Sequence, residues 1–278
     1  VTDVDDLFTS EQLVQDKQSK LAAAKDAIAG PVPLIPEAPD TTIILPRGLY
    51  VSGTFKKQAS FRELNGSDEE VLARTKDGND LFDQVIALGT VSIDDFDIQS
   101  LPIPERQTWL RMLLIGEREQ LFLGIVTATF GESKTISFTC SMCRERQDVE
   151  LLLTEDFKPK EIDPAKSLDV FDYRTVKGAD LVVRLVTGED QREAFGRKGA
   201  TVAEQNTIIL SRVITKLNGG MVADPMGFAR SLSMKDRSAL LADLVSRQPS
   251  IDLGVTTTCA VCQAEQLLNL GWGDIFRP

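Results

Sequence analysis

Histidine is absent from all 278 residues, and that gap removes more chemistry than any other feature of the composition. Without it there is no Ser/His/Asp or Cys/His nucleophile system, no His-ligated metal, and not the commonest general base. Glycine-rich phosphate loops, dinucleotide fingerprints and zinc-protease helices are missing too. Carboxylates and lysines remain, but without the usual catalytic constellations no enzymatic activity is expected. Apolar runs are short: "LFLGIVTATF" at 121–130 falls well below the ~20 residues that span a bilayer. The opening residues, "VTDVDDLF", are acidic where a secretory leader is basic and then apolar, so a chain kept in a reducing cytosol is expected. Basic charge is also scarce. Lys plus Arg number 31 against 42 Asp plus Glu, a net charge of -11, and that field repels a phosphate backbone. No basic stripe offsets it, so neither membrane nor direct nucleic-acid binding is expected.

What is present is enough apolar sequence, 42% of the chain, for one large core or two ordinary domains. Against that background the four cysteines stand out. All lie in two C-x-x-C units, Cys140/Cys143 in "TCSMCRERQDVELL" and Cys259/Cys262 in "TCAVCQAEQLLNL". The frames match beyond the thiols, with Thr139 against Thr258 and Gln147 against Gln266. Apolar and β-branched residues flank both units, so each is expected to form a strand, a tight turn bearing the thiols, and a return strand. Thiolates two residues apart on a turn are half of a tetrahedral zinc site, and a second such turn completes it. The 115 residues between Cys143 and Cys259 far exceed a compact ribbon, although closure entropy grows only logarithmically with length. Three readings stay open: a structural Zn(II) ion shared by Cys140, Cys143, Cys259 and Cys262; thiols or disulfides without metal; and a redox pair. The last wants a helix N-terminus that neither unit offers.

Upstream of each cysteine unit the same signals recur in order. "FRELNGSDEEVL" at 61–72 resembles "VRLVTGEDQREA" at 183–194, and "LPIPERQTWL" at 101–110 resembles "LSMKDRSALL" at 232–241. From Gly66 to Cys140 is 74 positions, and from Gly188 to Cys259 is 71. The expected fold is therefore α+β: two similar modules of helices plus a small sheet, produced by internal duplication and joined by zinc-knuckle β-hairpins.

The expected organisation runs as follows. Residues 1–29 form an acidic amphipathic arm with a helix over 10–29, whose Val14, Leu21 and Ile28 share one face for a neighbouring chain. Four prolines in 30–39 make 30–40 a semi-rigid linker. The first module covers 41–153, a connecting segment 154–180, and the second module 181–278. Helices are expected over 68–75, 78–88, 104–118, 189–197, 201–217 and 233–247, with a stop at the Gly219-Gly220 pair. The acidic group Asp94, Asp95 and Asp97 reads as a solvated loop or cap, with a carboxylate enzyme as the alternative.

The C-terminal run "LSMKDRSALLADLVSRQPSIDLGVTTTCAVCQAEQLLNLGWGDIF" resembles the end of the T-even type baseplate hub and hub-assembly proteins of contractile-tailed bacteriophages. Asp236, Arg237, Pro249, Asp252, Cys259, Cys262 and Phe276 occupy the places that carry the likeness. "ILPRGLY" at 44–50 is similar to a Leu-Pro-x-Gly segment of that family, one residue shorter. The likeness covers most of 41–278. Family knuckles read C-P-x-C-G, whereas here the turns carry Arg144 and Gln263 where glycine is usual. The resemblance implies a non-enzymatic virion component of the tail baseplate, assembled in the host cytoplasm. Its implied partners are other baseplate and tail proteins, with several copies in a symmetric assembly. The competing class is a zinc-ribbon regulator, which predicts a basic face near the knuckles; Arg144 and Arg146 are the only such cluster, and the second unit has Glu265.

Overall fold

The computed structural model describes residues 41–75 and 78–276, all within the compact unit Pro39–Pro278. The arm at 1–29, with Val14, Leu21 and Ile28, and the linker at 30–40 lie outside the described residues.

The described chain opens with a hairpin of β1 (Thr41–Val51) and β2 (Thr54–Phe61). Its two-residue turn, Ser52-Gly53, takes φ of 50° and 90°, the left-handed pair that matches the twist of a tight hairpin. The β1 register slips between Ile44 and Leu49, where Gly48 sits at φ 84° and a Cβ would lie 2.1 Å from the Lys56 carbonyl oxygen. Helices α1 (Gly66–Leu72) and α2 (Gly78–Gly89) follow, then β3 (Thr90–Ile93) and β4 (Phe96–Asp97), closing a sheet of order β1-β2-β3-β4. Next come α3 (Ile103–Leu110), α4 (Ile115–Phe130), the hairpin β5 (Ser133–Thr139) and β6 (Arg146–Leu152), and the short α5 (Leu153–Asp156).

The same order then recurs. A hairpin of β7 (Val170–Arg174) and β8 (Asp180–Arg184) precedes α6 (Gly188–Phe195) and α7 (Val202–Val213). β9 (Ile214–Leu217) and β10 (Gly220–Met221) complete the sheet β10-β9-β8-β7. Helices α8 (Pro225–Ser231) and α9 (Met234–Arg247) lead to the hairpin β11 (Gly254–Thr258) and β12 (Glu265–Asn269), and α10 (Trp272–Phe276) follows. Small antiparallel sheets and helices together make the class α+β.

The likeness extends to individual hydrogen bonds. Arg62 donates through Nη1 and Nη2 to both Asp68 oxygens, and through Nη1 to the Glu63 carbonyl. Arg184 does the same to Asp190 and the Leu185 carbonyl. Each aspartate is also the N3 residue of its helix and reaches back to the cap, Asn65 or Thr187. One carboxylate thus fixes a strand end and a helix start together.

Three expectations need correction. The helix expected over 104–118 is two, broken at 111–114. There the Arg111 and Leu113 carbonyls turn outward to accept from the Glu189 and Gly188 amides, the open N-terminus of α6, so tertiary contacts take up bonds that a continuous helix would use. The helix expected to 217 ends at Val213, because Asn218-Gly219, at φ 49° and 81°, is a hairpin turn and not a helix stop. The match of 101–110 to 232–241 is also displaced by one helix. In element order the counterpart of α9 is α4, and there Leu113, Glu117 and Arg118 stand where Leu232, Asp236 and Arg237 do. Their bonds agree: Glu117 Oε1 accepts from the Arg47 and Gly48 amides of β1, and Asp236 Oδ1 from the Val176 amide after β7. Arg118 then reaches Asp83 on α2, as Arg237 reaches Thr207 on α7.

Two cores lie behind this repetition. The larger gathers Phe61, Ile86, Phe122, Ile125 and Phe157, and the cysteine hairpins lean on it through Ile136, Val149 and Val255. The smaller is built from Leu181, Val183, Leu210, Val213, Leu240 and Leu244. After α9 the chain returns to the larger core. Gly116 admits the backbone of Pro249 and Ser250 so closely that a Cβ would sit 2.1 Å from the Pro249 carbonyl, and Trp272 packs edge-on to Phe122 at 5.2 Å. That return brings the second cysteine hairpin beside the first.

Candidate metal centre

Each cysteine unit sits on the tip of a regular hairpin. Register is unbroken from Ser133↔Leu152 to Thr139↔Arg146 and from Gly254↔Asn269 to Thr258↔Glu265. The two tips have the same bonding. The Cys140 amide donates to Glu145 O and the Arg144 amide to Cys140 O; the Cys259 amide donates to Ala264 O and the Gln263 amide to Cys259 O. Closing the turns this way forces φ of 62° at Arg144 and 60° at Gln263. Both are left-handed conformations that favour glycine, adopted here by residues with side chains.

The four sulfurs converge. Cys140, Cys143, Cys259 and Cys262 have Sγ atoms all within 4.8 Å of one another. Two of the contacts run across the hairpins, Cys140 to Cys262 at 3.7 Å and Cys143 to Cys259 at 3.6 Å. A disulfide needs about 2.05 Å, and the four are free. A tetrahedral thiolate site with bonds of ~2.3 Å has edges of about 3.8 Å, so the spacing is that of a group able to hold one metal ion. Cys140 and Cys259 are buried, while Cys143 and Cys262 face outward.

The surroundings treat the sulfurs unequally. The Cys143 and Met142 amides pull the Cys140 thiol down. The Cys262 amide, aided by the Gln147 side chain, takes Cys259 down to about 6. The Glu145 amide favours ionisation of Cys143, but desolvation and the Cys259 and Cys140 sulfurs outweigh it and push that thiol up to about 12. Cys262 is pushed up in the same sense, its Ala264 amide outweighed by neighbouring sulfur and burial. Crowded thiols cannot all ionise together, because each anion repels the next; a bound cation reverses that balance.

The two glutamines that match in sequence clasp the tips together. Gln147 accepts the Ala260 amide through Oε1 at 2.8 Å and donates through Nε2 to Cys259 Sγ at 2.8 Å. Gln266 accepts the Ser141 amide at 3.0 Å and the Ser141 hydroxyl at 2.8 Å through its Oε1. Each hairpin thus caps the backbone of the other, but only Gln147 reaches a sulfur. Sequence matching singled out both positions without revealing that they cross.

The acidic group lies elsewhere and is structural. Asp94 accepts the Lys57 and Gln58 amides, Asp95 pairs with Lys56 at 2.6 Å, and Asp97 accepts the Ser100 amide. Among the described residues, no helix is long and apolar enough to cross a membrane.

Fold and site together define a helix-and-hairpin protein in which two hairpin tips bring four cysteine sulfurs close enough to hold a metal ion. The family model for the T4 bacteriophage base plate protein matches residues 54–277. The chain belongs to that family and is a component of a phage baseplate. No curated protein and no solved structure matches it.

Proposed function

We propose that this protein is a non-enzymatic structural or assembly component of the baseplate hub in the virion tail, produced by internal duplication and stapled by one structural Zn(II) ion. Cys140, Cys143, Cys259 and Cys262 would hold the ion. It would supply charge neutralisation for four crowded thiolates and a covalent-strength tie between the hairpins. The observation that carries this reading is the convergence of four sulfurs from two distant hairpins at tetrahedral spacing. Paired sheets of equivalent order and the recurring Arg–Asp clamps support duplication. An all-sulfur donor set favours zinc over magnesium or calcium, which take oxygen.

Elemental analysis of the purified full chain tests the metal: one zinc per chain is expected, and metal-free thiols or two disulfides would remove the idea. Tagged protein recovered in purified tails tests the baseplate role. In the same proposal, the arm at 1–29 engages a neighbouring chain through Val14, Leu21 and Ile28. Its deletion should leave the melting temperature unchanged and lower recovery in tails; loss of folding would contradict it.

A further inference from the structure

Beside the cysteine centre, β5 and β12 line a groove of about 720 Å³ that runs from Phe138 and Leu267 near the tips to Lys134, Leu270 and Asp274 at the far end. Each of these strands belongs to a two-stranded sheet, paired with β6 or β11 on one side only. The phase of each ladder shows what the other side presents. The Cys140 amide bonds Glu145 O, and the Leu153 amide bonds Glu132 O. In an antiparallel ladder bonded pairs alternate, so even-numbered residues of β5 point their backbone inward to β6, and Thr135 and Ser137 point outward. On β12 the bonds of Cys259 to Ala264 and of Leu270 to Leu253 set the same alternation. Leu267 and Asn269 therefore point outward.

All four outward residues line the groove. Their amides and carbonyls make no recorded backbone bond among the described residues. Neither strand carries a proline or a bulge that would block pairing at this edge. The half-buried face beneath them is apolar, with Ile136 and Phe138 from β5 and Leu268 and Leu270 from β12. Two unspent strand edges on opposite walls of one groove, over an apolar floor, are complementary to extended backbone and to little else.

We propose that this groove receives an extended strand of another baseplate protein, which pairs with the outward edges of β5 and β12 and lays alternate apolar side chains on Ile136, Phe138, Leu268 and Leu270. This rests on the baseplate reading above. The cysteine centre and the glutamine clasp, at one end of both strands, set the spacing of the walls.

The test uses proline at outward positions, where it deletes a free amide and leaves the internal ladder intact. Ser137→Pro and Leu267→Pro are made in the full chain, with Ser137→Ala as control. Recovery in purified tails is measured beside the melting temperature and zinc content of the free proteins. Each proline variant should melt and bind zinc like the parent yet be recovered about five- to tenfold less, and Ser137→Ala should behave as the parent. Hydrogen exchange at Thr135, Ser137, Leu267 and Asn269 should be fast in the free protein and slowed in the assembled tail, a reading that holds even if a proline variant fails to fold. Equal exchange in both states would overturn the proposal. So would normal recovery of both well-folded proline variants, or slow exchange in a free protein that sediments as a dimer, which would make the occupant a second copy. If the parent chain is itself not recovered in tails, it is the baseplate reading that fails.

Discussion

The two sheet-and-helix units share a skeleton of charged clamps and differ in what closes over them. Around Asp68, whose side chain is 7% exposed, the clamp is a single arginine, Arg62. Around Asp190 there are two, Arg184 and Arg212, on a carboxylate with no exposed surface. Conversely, the first unit is sealed by aromatic packing from the C-terminus. Phe82 stacks on Phe122 at 4.7 Å, and Trp272 and Phe276 approach Phe122 at 5.2 and 6.2 Å. The second unit has a mainly aliphatic core in which Phe171 is the one buried aromatic among the described residues. The end of the second unit thus completes the first, and the two are interlocked.

The largest expected effect tests that interlock. Cys259→Ser should abolish stoichiometric zinc and lower the stability of both units in one cooperative transition, because β11, Leu270 and α10 pack on the larger core. Structural zinc in small peptides contributes roughly 10–16 kcal/mol of apparent binding, so a loss above about 5 kcal/mol is expected here. Calorimetry of the parent and variant checks it. A variant in which only residues near the second hairpin melt early would show that the units are not locked by the centre.

Next in size is the contrast between the clamps. Asp190→Asn takes the counter-charge from two half-buried guanidinium partners, Arg184 and Arg212, and should cost about 2–3 kcal/mol, whereas Asp68→Asn should cost about 1–2 kcal/mol. Acid titration sharpens the difference. Burial alone would raise Asp190, but Arg184, the Thr187 amide and Arg212 bring it down to about 2. A depressed carboxylate contributes stability that is fully present above its unfolded value near 3.9 and is lost as pH falls through 2. The parent should therefore lose about 2 kcal/mol over that window through this residue, and Asp190→Asn should have a flatter acid limb. Equal slopes would sink the assignment.

A smaller effect separates the two glutamines. Gln147→Leu removes both the donor to Cys259 and the acceptor for Ala260, and should cost about 1–2 kcal/mol. It should also weaken zinc in competition with a chelator. Gln266→Leu leaves Ser141 to solvent, touches no sulfur, and should cost under about 1 kcal/mol. Equal chelator curves for the two variants would mean that the asymmetry has no energetic weight.

How much of this was legible in the chain depended on range. The matched thiols, glutamines and Gly-acid helix starts were readable because they are local chemistry at fixed spacing, and the hairpins at both cysteine units followed from flanking β-branched residues. The break at 111–114 was not, because the groups that donate hydrogen bonds to its carbonyls, the Gly188 and Glu189 amides, lie over 70 positions away. Strand β9 is hidden in a helix-like run because the Gly219-Gly220 pair reads as a helix stop, whereas Asn218-Gly219 forms a hairpin turn. Strand β7, within the segment expected to connect the halves, carries too little alternation to declare itself before β8 pairs with it. The crossing of Gln147 to Ala260 and of Gln266 to Ser141 depends on the return of the chain through Pro249, which no local pattern encodes.

That return supplies the last and smallest prediction. Glu119, on α4, accepts the Ile251 amide at 2.8 Å, and this bond fastens the returning chain to the larger core beside Gly116. Burial raises Glu119 to about 7, against the opposing pull of the Ile251 amide and Arg118. Since the folded value lies above the unfolded one, the protonated form is favoured by folding. The associated stability is full below about pH 4.5 and is lost as pH rises through 7. Glu119→Gln keeps an oxygen for the Ile251 amide and carries no charge. It should match the parent at pH 4 and exceed it by about 1–2 kcal/mol at pH 8, a figure reduced for partial exposure of the side chain. Denaturant midpoints at the two pH values decide it. An unchanged difference between them would mean that folding does not raise Glu119, and that burying this carboxyl at the junction carries no pH-dependent cost.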